Sequence, residues 1–530
     1  MVPDIVAEGL ARGWRHIDGS TLEAGRTIEA DVVIVGTGAG GGVAAEILTA
    51  QGFEVVMVEE GPLRSSRDFN LEERTAYPDL FQEAAGRKTR DKGISIYQGR
   101  NVGGSTTVNW TASFRTPRQT LAHWAEVHGV AGLSEDELRP WFERMEQRLN
   151  IEPWALPPNA NNNALKRGAD KLGWSTGVIS RNVKNCWDLG YCGLGCPTNA
   201  KQSMLVTTIP EALERGALLL SRFRAERLVR RRDRIDSLVC LARDERGQPR
   251  PQVAVTVRAR HFVLAAGAIG SPALLMRSAL PDPHGRVGRR TFLHPVAVSV
   301  ATMPEPVEAY SGAPQSIYSD HFLWWDGATG RCGYKLEVPP VYPLLAATVA
   351  PDFGRKHRGF MRDFPHLQVV IALTRDGFNE ASRGGRVELN RYGDPVLDYP
   401  IGEFIWDGLR RAYLSMAELQ FAAGARKVYP IHEDARSYTR WAEARREIAR
   451  LPMEILRARV VCAHVMGGCA MGEDPRRSVV DCEGRHHHLA NLSIIDGSLF
   501  PTSVGTNPQL SIYALAAKLS SRLGESIGDR

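Results

Sequence analysis

Val32-Val33-Ile34-Val35 is followed at once by Gly36-Thr37-Gly38-Ala39-Gly40-Gly41. The apolar, largely β-branched run reads as a short strand buried in a parallel sheet. Gly36, Gly38 and Gly41 then supply G-x-G-x-x-G. The first glycine permits a tight turn, the second lets backbone approach a pyrophosphate, and the third lets a helix pack close to the strand. That helix is predicted over 43–50, its N-terminus aimed at phosphates. A second strand is predicted over 54–58, ending at Glu59, 23 residues beyond Gly36. A carboxylate there can accept both hydroxyls of an adenosine ribose. A glycine-rich turn alone is weak evidence. The order strand, motif, helix, strand, acid points to a dinucleotide site, without separating NAD from FAD.

A chain of 530 residues exceeds one ordinary core, so two domains are expected, one assembled from separated segments. The net charge of +6 is mild for this length. Its densest basic run, 227–234 with Arg230-Arg231-Arg232, reads as a solvated strand end. Nucleic-acid binding would need a basic face with aromatic or motif support, which is missing. The first 15 residues lack a signal peptide's apolar core and cleavage site. No run approaches the ~20 apolar residues of a membrane span. Eight cysteines in so long a chain do not make a disulfide scaffold. The expectation is a cytoplasmic protein, compatible with a partner subunit.

Gly99-Arg100-Asn101-Val102-Gly103-Gly104-Ser105-Thr106-Thr107-Val108-Asn109 resembles the first signature of the glucose–methanol–choline (GMC) oxidoreductases. Gly267-Ala268-Ile269-Gly270-Ser271-Pro272-Ala273-Leu274-Leu275 resembles their second. The stretch from Val287-Gly288-Arg289 to His294-Pro295 is similar to the segment that follows it. Residues 464–472 and 496–508 resemble the C-terminal signature. The resemblance runs from Asp31 to about Leu523 with every motif in order. Within the family, Asp496-Gly497-Ser498-Leu499-Phe500-Pro501 with Ser503-Val504-Gly505-Thr506-Asn507-Pro508 is most similar to cholesterol oxidases and long-chain alcohol oxidases, which act on bulky apolar alcohols.

The resemblance implies FAD. It implies an α/β, doubly wound FAD-binding (Rossmann-like) domain beside a substrate domain on a large, mainly antiparallel sheet. The expected segments are 1–130, 215–300 and 455–530 for the first, and 131–214 and 301–454 for the second. The positions expected at FAD are Gly36, Gly38, Gly41, Glu59, Arg100, Gly104, Ser105, Asn109, Ala266, Gly267, Asp496, Gly497, Asn507 and Pro508. Some relatives attach FAD through a histidine just before the asparagine of the first signature. Val108 stands there, so non-covalent binding is expected. A valine that often faces the adenine is Arg227 by spacing, a local departure from the family's pattern.

Alcohol oxidation removes a proton from the hydroxyl and a hydride from its carbon, and the flavin accepts the hydride. His464 is the candidate base, being of the residue type that titrates near neutrality. Asn507 is the candidate partner that orients the same hydroxyl. Pro508 precedes an apolar stretch, 510–523, at helical spacing, and proline suits a helix start. That helix N-terminus would direct partial positive charge at the flavin ring.

Cys186, Cys192 and Cys196 make C-x5-C-x3-C in a glycine-rich loop. An iron–sulfur cluster, buried thiols and a disulfide are its three readings. The adjacent histidines 486–488 are not expected to converge on a metal. Residues 153–163 read as a surface loop or lid before a helix over 164–172. A helix is predicted over 138–149, and a hairpin over 382–399 with its turn at 392–395. Aromatic and apolar residues from 324 to 364 serve as core or as substrate wall. The sequence leads to FAD-dependent oxidation of a bulky or long-chain apolar alcohol, with oxygen or another electron acceptor. A quinone- or cytochrome-linked dehydrogenase with a cluster and a non-redox flavin lyase or decarboxylase are the alternatives.

Overall fold

The computed structural model describes residues 2–350 and 353–528. Val32, Val33 and Ile34 are completely buried within the strand Arg26–Val35. That strand has Val55–Val58 parallel on one side and Pro249–Leu264 parallel on the other. Leu218–Ser221 and then Arg15–Asp18 extend the sheet in one direction, also parallel. In the other direction, the end of Pro249–Leu264 takes Leu492–Ile494 parallel, and its start takes Arg234–Arg243 antiparallel. Phe223–Arg231 completes this eight-stranded sheet. The arginines from Arg230 to Arg234 sit at its exposed hairpin end.

The helix after the glycine motif is Ala39–Ala50, starting four residues before the predicted 43. It packs against the C-terminal helix Gln509–Gly528. Glu135–Arg148 lies along that same C-terminal helix. Its start is three residues earlier than the periodicity predicts, because Ser134 and Glu137 form a reciprocal capping box.

A second sheet of eight strands is built mainly from antiparallel pairs. Val296–Thr302, Leu367–Thr374, Tyr334–Glu337 and Ile317–Ser319 form its centre. Helix Glu403–Ala422 packs on one face, where Gln420 hydrogen-bonds Ser299 at 2.7 Å. Ile94–Ile96 and Val460–Cys462 join this sheet although they fall in segments expected for the first domain. The predicted hairpin forms, as Gly385–Leu389 and Pro395–Asp398. It belongs to a separate four-stranded sheet with Arg289–Leu293 and Val465–Gly467. Among the described residues no helix is long and apolar enough to cross a membrane.

The surface loop expected at 153–163 forms over 154–159 and ends four residues early. Helix Ala160–Leu172 begins there, capped by Asn159. Asn161 and Asn162 are buried, and their amides serve backbone that neither sheet satisfies. Asn162 Oδ1 accepts the N–H groups of Ser316 at 3.0 Å and Ile317 at 3.2 Å. Asn161 accepts from Val369 N–H at 3.0 Å and donates to the Pro339 carbonyl at 3.0 Å. An Asn-rich run reads as solvated because such groups are usually exposed; tertiary packing used them as fasteners instead. Replacing Asn162 by alanine leaves two buried N–H groups unpaired, so chemical denaturation should register a loss of about 2–4 kcal/mol. A loss under ~1 kcal/mol would show those bonds to be replaceable by water.

Candidate active site

The two glycine-rich stretches touch. A Cβ on Gly104 would lie 2.9 Å from the Cα of Gly38, and Gly104 has a φ of +55° that disfavours any side chain. Thr37 binds them together: its hydroxyl donates to Glu59 Oε2 at 2.7 Å and accepts from Gly103 N–H at 3.0 Å. Glu59 accepts two more N–H bonds, from Thr37 at 3.1 Å and Gly61 at 3.0 Å. Burial pushes the Glu59 pKa up, opposed by these bonds. Three of its roughly four lone-pair sites are therefore occupied, leaving room for one further donor rather than the two expected of a ribose.

Of the fourteen positions expected at FAD, thirteen line one cavity of about 1370 Å³. The exception is Gly41. It packs behind the loop, where a Cβ would come 1.9 Å from the Gly36 carbonyl oxygen. Its job is the helix–strand contact. Arg100 is on the wall with its buried Nε unpartnered among the described residues. Ser105 accepts Gly99 N–H at 3.0 Å, and Ala266 N–H donates to Ser271 at 3.1 Å. Asn109 is bound to Gln509 at 2.6 Å. Asp496 accepts from Gly267 N–H at 2.9 Å, Ser271 at 2.6 Å and Ser498 N–H at 2.8 Å. It thereby fastens the C-terminal segment to the start of helix Gly267–Arg277. Gly497, Asn507 and Pro508 border the same space, as does the first turn of helix Gln509–Gly528.

His464 and Asn507 reach this cavity from different elements. His464 immediately precedes the strand Val465–Gly467, and its Nδ1 lies 3.0 Å from Nδ1 of His294. Gly505 N–H donates to His294 Nε2 at 3.2 Å. That contact assigns the protons: His294 Nε2 is an acceptor, so the neutral ring carries hydrogen on Nδ1 and donates it to His464. His464 in turn keeps its proton on Nε2, the nitrogen left for the cavity. Burial lowers the His464 pKa to about 4, with Glu337 raising it and Lys335 lowering it. Burial also lowers His294 well below its usual value. Both rings are neutral at pH 7. The base expected of His464 exists only after Nε2 has lost that proton.

Asn507 is held by a buried ion pair that sequence reasoning missed. Lys335 Nζ donates to Asn507 Oδ1 at 3.2 Å and Thr506 Oγ1 at 3.1 Å, and pairs with Glu337 Oε1 at 3.0 Å. Glu337 Oε2 accepts from Asn507 Nδ2 at 3.1 Å and Gln315 Nε2 at 2.6 Å. The ammonium also sits 3.0 Å from the centre of the Phe114 ring. Burial lowers the Lys335 pKa to about 8, offset in part by Glu337. Both ends of the Asn507 amide are thus spoken for, which fixes its orientation. The only signal was Lys335 and Glu337 two apart in Tyr334–Val338, a pattern that equally describes a strand with a wet face.

One part of the remaining wall is apolar. Val296, Val298 and Val300 face it from one strand and Val369, Ile371 and Leu373 from the next, in register as direct cross-strand pairs. Val296, Ile371 and Leu373 belong to neither main core but cluster with Trp110, Val298 and Val461. The cluster reading of the cysteines is corrected. Among the described residues no three metal-binding side chains converge. Cys186, Cys192 and Cys196 bond locally, to Asp188 N–H, Arg181 and Thr198. Their loop is tied instead by Lys201, whose buried ammonium donates to the carbonyls of Thr107, Asn109 and Cys192 at 2.6, 2.9 and 2.6 Å.

The chain is similar to known proteins. Residues 31–296 and 381–516 match the N- and C-terminal models described as GMC oxidoreductase. An uncharacterized GMC-type oxidoreductase, y4nJ of Sinorhizobium fredii, is 30% identical, covering 95% of this chain and 96% of its own. The long-chain-alcohol oxidase FAO4A of Arabidopsis thaliana is 27% identical over 95% of this chain and 69% of that protein. Pyridoxine 4-oxidase from Mesorbium loti superposes with a TM-score of 0.67 at 20% identity, over 93% of this chain and 98% of that one. At such identity the superposition speaks to fold alone. With both models matched in order across one cavity, the chain belongs to the GMC oxidoreductase family.

Proposed function

We propose that the protein is an FAD-dependent oxidoreductase that converts a bulky, apolar alcohol to its carbonyl compound. The observation carrying this reading is the paired Val, Ile and Leu wall that continues from His464 and Asn507 in one cavity. FAD is the cofactor of GMC oxidoreductases, and the residues fit it. Gly38 and Gly104 leave a cradle that side chains would fill, and Arg100, on the cavity wall, has an unpartnered buried nitrogen. Attachment is non-covalent, since Val108 offers no nucleophile. Bound FAD supplies the hydride acceptor.

The protein's own part is to hold one oxygen and move one proton. Asn507, fixed by Lys335 and Glu337, keeps one amide hydrogen for the alcohol oxygen. His464 donates its Nε2 hydrogen to that oxygen at rest. It takes the hydroxyl proton only as its minor tautomer: Nε2 has given its hydrogen to solvent, the shared hydrogen has moved to His464 Nδ1, and His294, released by Gly505 N–H, has gained one on Nε2, so that both rings stay neutral. The segments 1–130, 215–300 and 455–530 mainly serve the cofactor and 131–214 with 301–454 mainly the alcohol, with Val296, Val298, Val300, His464 and Asn507 of the first set reaching the alcohol side. Oxygen or another electron acceptor would be the second substrate.

Anaerobic titration with short, long-chain, aromatic and sterol alcohols should bleach the flavin band with an apolar class first. Readmitted air restores the band quickly in an oxidase and slowly in a dehydrogenase. Failure of every alcohol, with dithionite still effective, would favour the non-redox lyase reading. His464→Gln keeps an N–H donor but no base, so kcat should fall by about 10²–10⁴ while KM changes little. Near wild-type kcat in that variant would sink the proton-acceptor role. Because the folded His464 pKa lies near 4, the acid limb of kcat/KM should fall there rather than at 6.5; a limb near 6.5 contradicts the burial. Lys335→Met strands the Glu337 carboxylate, with an expected stability loss of about 3–5 kcal/mol in thermal or chemical unfolding. Adding Glu337→Leu should restore much of it; an additive loss would deny the pairing.

A further inference from the structure

Two short helices border the apolar part of the cavity, Pro343–Val349 and Gly354–Arg362. Their inner sides supply Leu345, Val349 and Phe360 to the chamber wall. Their outer sides have a different character. Leu344 is 44% exposed and Phe353 90% exposed. No residue of Gly354–Arg362 is buried, and Arg355, Arg358 and Arg362 recur on one exposed face at three- and four-residue spacing. Leu456, 60% exposed, lines the same cavity. A single exposed apolar residue needs no explanation. Here exposed apolar residues and an arginine face stand on the outside of the elements whose inner sides line an apolar wall.

The first of the two helices is fastened at both ends. Glu73 accepts the N–H groups of Leu344 at 2.6 Å and Leu345 at 2.9 Å. Arg459, paired with Glu433 at 2.6 Å, donates to the Thr348 carbonyl at 3.4 Å. Leu344 is therefore presented from an anchored element.

We propose that this face docks on an anionic lipid surface, so that an apolar alcohol passes from lipid into the chamber without crossing water. The arginines complement anionic headgroups, while Phe353 and Leu344 enter the boundary with the acyl chains. The purpose of the docking rests on the apolar-alcohol reading above. Its measurement does not.

The test is co-sedimentation of the full, FAD-loaded chain with vesicles of phosphatidylcholine alone or mixed with phosphatidylglycerol. The protein should pellet with the anionic vesicles, less so as salt rises, and poorly with neutral ones. Arg355→Glu with Arg358→Glu should weaken binding by about tenfold or more. Phe353→Asp should weaken it severalfold. An unchanged unfolding temperature and flavin spectrum establish that these surface variants are folded. No pelleting with anionic vesicles would overturn the proposal. So would equal pelleting of the variants, or a solution dimer that Phe353→Asp dissolves. Vesicle binding without bleaching by any alcohol would keep the docking surface and remove the substrate reading. Bleaching in solution without vesicle binding would do the reverse.

Discussion

Gly40 lies against the Ile495 carbonyl so closely that a Cβ there would come within 1.8 Å of its oxygen. This backbone contact joins the first and last motifs of the chain. Next to it, Asp496 caps helix Gly267–Arg277 and Leu492–Ile494 adds to the parallel sheet. Without that approach the C-terminal segment would not bring Asn507 and the start of helix Gln509–Gly528 to the cavity. The nucleotide loop and the segment that leads to Asn507, more than 450 residues apart, share a wall because Gly40 puts no side chain in the way.

The cavity joins two solvents. At one end are glycine backbone, Glu59, Arg100 and Asp496; at the other, rows of valine, isoleucine and leucine paired across two strands. His464 and Asn507 stand between. Each is controlled by a group behind it, His464 by His294 and Asn507 by Lys335 with Glu337. A buried ion pair seldom adds net stability. Its value here is orientation: an asparagine amide bound at one end to an ammonium and at the other to a carboxylate cannot flip.

What was legible from sequence was local or tied to a motif. The strand Arg26–Val35, the turn, the helix after it and Glu59 follow from spacing and steric needs over some thirty residues. The hairpin around Gly393 follows from turn chemistry. The resemblance brought in His464, Asn507 and Asp496, and the structure places all three at one cavity. Periodicity failed where partners are remote. Asn161 and Asn162 look solvated until Ser316, Ile317 and Val369 arrive beside them. Three nearby cysteines look like a ligand set until Lys201 and Arg181 are seen to occupy their surroundings.

The sequence by itself pointed to the dinucleotide site, the family and the two residues, His464 and Asn507, proposed to act on the alcohol. Each rests on short-range rules, a glycine where backbone must approach or a named residue inside a contiguous motif. Only the tertiary structure decided which nitrogen of His464 holds its proton, how Asn507 is turned and what stands behind both. Those properties depend on Gly505 meeting His294, and on a strand that puts Lys335 and Glu337 beside Asn507. Hydrogen-bond direction and burial are set by neighbours in space, and linear spacing carries no record of them.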